Sequence, residues 1–296
     1  MIRKAFLLAV TISLASLAAH ATTTTVPDSA LLSSPGVYTA GGYFTDSLGN
    51  VVLTTGGGNA NGVGNLTGRN DDGFSGPIVL PFTVNLFGNS YTQFWINNNG
   101  NVSFNNGISS FTPSGPTGAN VPIISPFFAD VDTRNASSGV VMYNATLNGG
   151  NTVAVTWDGV GFYNEHGSPL DYFQLILNNP AAVPAGQGDI GFFYETMGWE
   201  TGDASGGSGG FGGTPAAVGF GDGAGNGEVL QGSIQNGISG IVNNHYIWFD
   251  TNCPAGTTGA GCNPIPITGT PEPSTLVLFG SGLLALGGAI RRRLSL

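Results

Sequence analysis

Charge is what this 296-residue chain has least of, with 8% of its residues acidic or basic. Lysine occurs once, at position 4, and the other basic residues are Arg3, Arg69, Arg134, Arg291, Arg292 and Arg293. Between the two basic ends, two arginines face 17 acids, a balance of −15. A surface so poor in Lys and Arg cannot gather a phosphate backbone, which excludes nucleic-acid binding. Cysteine is also scarce, at two residues, too few for a thiolate metal site. No stretch between the ends sustains a 3.6-residue apolar period, so long amphipathic helices are excluded. Nor is there a Gly-x-Ser-x-Gly elbow or a His-Glu-x-x-His pair. What the chain does have is 50 glycines, 17 prolines and 30 aromatic residues (18 Phe, 8 Tyr, 4 Trp). That much apolar surface offsets chain entropy and argues for a folded protein rich in turns.

The ends carry addresses. Arg3-Lys4, an apolar run from Ala5 to Ala18, and Ala19-His20-Ala21 have the three parts of an export signal, with cleavage expected after Ala21. At the other end Pro271-Glu272-Pro273 precedes the uncharged Thr275 to Ile290 and then Arg291-Arg292-Arg293. Sixteen residues make a helix of about 24 Å, short of a ~30 Å hydrocarbon core unless flanking arginines snorkel. Positive residues stay cytoplasmic, so the region between the ends lies outside the inner membrane. This tail resembles the PEP-CTERM sorting signal of Gram-negative bacteria that secrete exopolysaccharide. The resemblance implies an exosortase as processing partner, with Pro271, Glu272, Pro273, Arg291, Arg292 and Arg293 as the sorting motif. A permanent tail anchor is the alternative. Membrane contact is expected only through the uncleaved tail.

Cys253 and Cys262 are expected to pair, since an exported compartment permits a disulfide. The ten-residue loop would contribute ~2.7 kcal/mol in the chain-entropy treatment.

Short β-branched and aromatic runs bounded by Gly, Asn and Pro recur from Ile78 to Phe249, and Asn97 to Asn101 reads as a tight hairpin. The run Tyr172 to Leu177 reads as a strand covered on both faces. The fold class expected is all-β: one antiparallel β-sandwich-like domain with long Gly-rich loops, plus N-terminal signal and C-terminal transmembrane helices. The expected segments are the signal (1–21), a Thr/Gly/Asn-rich lead-in (22–73), the β-domain (74–250), a linker (251–270) and the sorting tail (271–296). Within the lead-in, Val37 to Phe44 and Val51 to Thr54 are weak strand candidates. The glycine-rich zone 203–228 reads as a flexible loop.

Several runs in fixed order resemble the NIDO (nidogen-type extracellular) domain. They are Leu80 to Tyr91, Trp95 to Phe104, Pro126 to Arg134 with its Ala129-Asp130-Val131-Asp132-Thr133 core, and Val153 to Tyr163. Phe173 to Leu177, Phe193-Tyr194 with Trp199, and Ala217 to Phe220 follow. The resemblance implies extracellular adhesion or matrix association and brings no catalytic residues. No enzyme is expected; the alternative is a carbohydrate-active enzyme acting on exopolysaccharide. Partners implied are polysaccharide or envelope and matrix proteins, at the cell envelope, cell surface or extracellular matrix.

Asp130 and Asp132, at i and i+2, project to one side of an extended strand. Paired carboxylates outside the cell suit Ca²⁺, with Asp71-Asp72 or nearby carbonyls completing the shell. The alternative is that they hold a loop by accepting backbone N–H groups, or that one pairs with Arg134. No other cofactor is expected. Glu165-His166 with Asp171 sketches an acid–base cluster that any acidic β-protein offers. Gly219 to Ala224 matches a dinucleotide pattern without the βαβ context that gives it meaning. The four tryptophans read as core rather than as sugar platforms.

Overall fold

A computed structural model describes residues 23–53, 62–63, 67–115 and 117–251. The signal segment with Ala19 and Ala21, the Cys253 and Cys262 pair, and the tail with its sorting motif and 275–290 span lie outside the described residues.

The strands are β1 (Thr23–Val26), β2 (Leu32–Ser33), β3 (Asn50–Leu53), β4 (Gly62–Val63), β5 (Ile78–Leu86), β6 (Asn89–Asn97), β7 (Asn101–Ser103) and β8 (Pro122–Phe128). They continue with β9 (Val141–Leu147), β10 (Thr152–Phe162), β11 (His166–Asn178), β12 (Ile190–Met197), β13 (Ala217–Asp222), β14 (Gly227–Leu230) and β15 (His245–Phe249). A five-residue helix, α1 (Ile238–Val242), precedes the last strand. One sheet runs β1-β14-β13-β8-β7-β6-β5 and the other β2-β15-β12-β11-β10-β9-β3-β4. Among the described residues only β1 and β14 pair in parallel; the other neighbours are antiparallel. The all-β sandwich expected from the short strand spacing is therefore the fold.

Local sequence explains the hairpins. Phe87 and Gly88 join β5 to β6 with positive φ at both positions, 48° and 81°, the geometry whose twist matches antiparallel strands. Asn97 pairs with Asn101, and Gly100 closes that turn at φ 75°, where an added Cβ would run into the Phe127 carbonyl. Pro81 is tolerated because β5 is an edge strand.

The core lies between the sheets. Phe127 of β8 meets Phe173 of β11 (5.6 Å between ring centroids), and Phe220 of β13 meets Phe249 of β15 (5.1 Å). Trp157 and Phe173 are cross-strand partners whose rings stack at 5.0 Å, both fully buried. Burying aromatics of that size contributes a gross ~4–6 kcal/mol each, an upper bound. Trp157, Trp199 and Trp248 are buried, in keeping with their reading as core, whereas Trp95 is half-buried.

The lead-in is built into this sandwich. Its described residues supply β1 to the first sheet and β2, β3 and β4 to the second. Val37 to Phe44, expected as a strand, form turns instead, because Gly36 and Gly42 adopt positive φ and break the extended run. That lets Tyr38 and Phe44 lay their rings on Phe193, at 5.4 and 5.6 Å, and so cover the outer face of the second sheet. Strand β11 is accordingly buried on both faces over its second half, as expected. The glycine-rich zone is not one loose loop: β13 lies inside it, β14 begins at its end, and the Gly210 carbonyl accepts the N–H groups of Glu200 and Thr201. Glycine is required at position 210, since a Cβ there would strike Trp199.

Candidate functional site

Four segments meet at one end of the sandwich, and the two arginines found between the basic termini are both here. Arg69 Nη1 donates to the carbonyl oxygens of Thr133, Asn135 and Ser138 at 2.7, 2.6 and 2.8 Å. It thereby clamps the loop after β8. The Thr133 N–H donates to the Asn70 carbonyl while the Asn70 N–H donates to the Thr133 hydroxyl, and Asp71 forms an isolated antiparallel bridge with Asp132. The Asn70 side chain accepts the Gly73 N–H, turning the chain so that Asp71 and Asp72 face that loop. The Asn-rich hairpin supplies the third wall: Asn98 Nδ2 donates to the Val131 carbonyl, and Asn99 Nδ2 to Asp72 Oδ1 at 2.8 Å. Trp157 Nε1, from the opposite sheet, fixes that hairpin through the Asn98 carbonyl at 2.9 Å. Gly202 is the fourth wall, so close that a Cβ would run into the Asp130 carboxylate.

The structure separates the two aspartates that an extended strand would put side by side. Strand β8 stops at Phe128, and the Val131 N–H bonds back to the Ala129 carbonyl, a three-residue turn with Asp130 at its apex. Asp132 turns to Arg134, accepting Nε at 2.9 Å and Nη2 at 2.6 Å, and it also accepts the backbone N–H groups of Arg134 and Glu165. Asp130 joins Asp71 and Asp72 instead, the three carboxylates offering oxygens that all lie within 4.8 Å of one another. Arg134 reaches this trio only at Asp71 Oδ2, 2.8 Å away.

Crowding three acids in a partly buried place raises their proton affinity. Burial, then Asp72, Asp71, Asp132 and Asp203, pushes Asp130 up to about 8. Burial, then Asp132 and Asp72, pushes Asp71 up to about 7 against the pull of Arg134. Asp72 is raised as well, chiefly by burial, with the Asn99 hydrogen bond opposing. Such a trio can be neutralised by protons or by a cation. Asp71 and Asp72 were visible in the sequence as a second acidic pair. The part played by Asn99 and Gly202 was not, because both arrive through long-range folding.

Other candidates are dispersed. His166 pairs with Asp203 at 2.9 Å and stacks on Phe162, whereas Asp171 is buried and accepts the Gly198 and Trp199 N–H groups. Burial raises Asp171 well above the usual carboxylate range. The Glu165-His166-Asp171 sketch is thus not assembled. Gly219 to Ala224 runs along β13 into a turn capped by Asp222. Elsewhere, a cleft of about 490 Å³ is lined by Asn85, Phe87, Gly88, Phe220, Asn226, Glu228 and Thr251.

Comparison with known proteins gives two family matches. The model described as NIDO related matches residues 44–250, and that described as PEP-CTERM protein-sorting motif matches 270–293. Alpha-tectorin of Homo sapiens and of Mus musculus are each 34% identical over 181 residues, and that of Gallus gallus 30%. Each of these alignments covers 52% of this chain and 8% of the relative, so the chain spans a small part of the length of these relatives. No solved structure matches. The sorting motif implies exosortase processing and export to the envelope or surface of a bacterium.

Proposed function

The chain belongs to the NIDO-related family, and from that premise we propose that it is an exported adhesion or matrix module of a Gram-negative cell. The observation that carries this reading is the joint presence, in one chain, of a NIDO-related domain and a sorting motif. Export delivers the domain outside the inner membrane, the exosortase removes or processes the tail, and the β-sandwich works through its surface. Exopolysaccharide is the partner class favoured. The cleft beside Phe87, whose half-buried ring packs on Phe220 at 5.9 Å, sets one aromatic face among amide and carboxyl groups from Asn85, Asn226 and Glu228. That mixture suits a sugar ring, which presents an apolar face and a rim of hydroxyls.

The test is co-sedimentation of the exported protein with exopolysaccharide from the producing cells, with reducing ends assayed in parallel. Binding that weakens at least tenfold in Phe87→Ala, without new reducing ends, is expected. Release of sugar ends that Asp→Asn or Glu→Gln changes abolish would instead establish the carbohydrate-active enzyme. Binding only to envelope proteins would move the partner class.

A further inference from the structure

We propose that Asp71, Asp72 and Asp130, with the carboxamide of Asn99, form a calcium site that clips the hairpin, the 70–74 segment and the loop after β8 together. The acidic cluster alone would not carry this. The second observation is a set of buried oxygens without partners, on the cluster and on the Asn99 amide beside it. Asp130 is 1% exposed and its Oδ2 accepts no hydrogen bond. Asn99 is equally buried, and its Oδ1 is also without a partner while its amide nitrogen donates to Asp72 Oδ1 and to the Ser110 carbonyl. Asp71 Oδ1 is a third. A buried acceptor left unpaired is costly, more so when charged, so three together call for a species that satisfies acceptors only. A half-turn of the Asn99 amide, giving up its bonds to Asp72 and the Ser110 carbonyl, turns the unpaired oxygen to the ion.

Size and chemistry select the ion. Oxygens bound to one Ca²⁺ at 2.3–2.6 Å lie at most about 5 Å apart. The carboxylate oxygens here are already within 4.8 Å of one another. The donor set is all oxygen, the choice of a hard cation, and holds neither imidazole nor thiolate. Charge agrees: Arg134 is spent on Asp132 and on one oxygen of Asp71, leaving the trio short of positive charge. Gly202 closes the wall behind Asp130, where any side chain would displace the carboxylate. Mg²⁺ fits less well, because it demands a smaller octahedral shell and keeps its waters.

The test uses the exported protein, stripped with chelator and titrated with CaCl₂ by calorimetry, with melting followed in parallel. One ion per chain is expected, and Tm should rise by about 5–10 °C at a hundredfold excess over Kd. Asp130→Asn and, separately, Asp72→Asn should each weaken calcium binding at least tenfold while melting no lower than the parent in chelator. Asp222→Asn, remote from the trio, should respond as the parent does. The proposal is overturned by absence of binding up to about 10 mM, above the range of extracellular calcium modules. It is equally overturned by an equal response to MgCl₂, or by calcium binding that survives both substitutions.

Discussion

Removing the guanidinium of Arg134 tests the wiring that divides Asp132 from the acidic trio. Arg134→Gln deletes two bonds to Asp132, at 2.9 and 2.6 Å, and the 2.8 Å ion pair to Asp71. Breaking a buried ion pair costs ~3–5 kcal/mol. Two features lower the figure here. The arginine side chain is 40% exposed while that of Asp132 is 0% exposed, so water reaches one partner only. Asp132 also keeps the N–H groups of residues 134 and 165. The expected loss is about 2 kcal/mol, or about 4–8 °C in Tm for a domain of this size. The assay is urea unfolding in chelator, so that no cation masks the change, with Asp132→Asn and the double variant completing a cycle. A coupling of about 1–2 kcal/mol is expected, and Arg134→Lys should recover less than half, because a lysine cannot repeat the two-point grip. A coupling below about 0.3 kcal/mol would refute the assignment of Arg134 as the partner of Asp132.

Three further outcomes follow from the same geometry. Gly100→Ala forces a side chain into the left-handed region at φ 75° and against the Phe127 carbonyl, and should cost more than about 2 kcal/mol by urea unfolding. Phe44→Ala uncovers Phe193 and Trp248 on the outer face of the second sheet, and should cost ~2–4 kcal/mol and increase binding of an apolar dye. Glu228 is raised from 4.5 to about 7, by burial and then Asp189, so its protonated form favours the folded state. Its contribution is complete below about pH 4.5 and is lost as pH rises through about 7, so stability should fall across that window by up to ~3 kcal/mol. Glu228→Gln should flatten the wild-type slope there; an unchanged slope would remove Glu228 from the cause.

Legibility in the sequence followed the range of the interactions. The C-terminal sorting motif, the strand run and the 97–101 hairpin depend on neighbours a few positions apart, and residue types alone exposed them. Asp130 was singled out, but its pairing with Asp132 assumed an extended strand. The turn from Val131 to Ala129 and the pull of Arg134 redirected the two carboxylates to different partners. The lead-in read as a segment apart from the β-domain because its strand signals are weak; its weight comes from Tyr38 and Phe44 meeting Phe193, 155 and 149 positions away. The 206–213 glycines suggested looseness, yet Gly210 is there so that backbone can lie directly on Trp199. Composition records that a residue is glycine and not what approaches it.

The most direct measurement is the intact mass of the protein recovered from the outside of producing cells, compared with a Glu272→Ala variant. A chain that begins at Thr22 and ends near Pro271 to Pro273, without Arg291 to Arg293, is expected for the parent. The variant should retain its tail and stay with the inner membrane. A parent chain running through Leu296 at the surface, or one still starting at Met1 in the cytoplasm, would contradict export and exosortase processing.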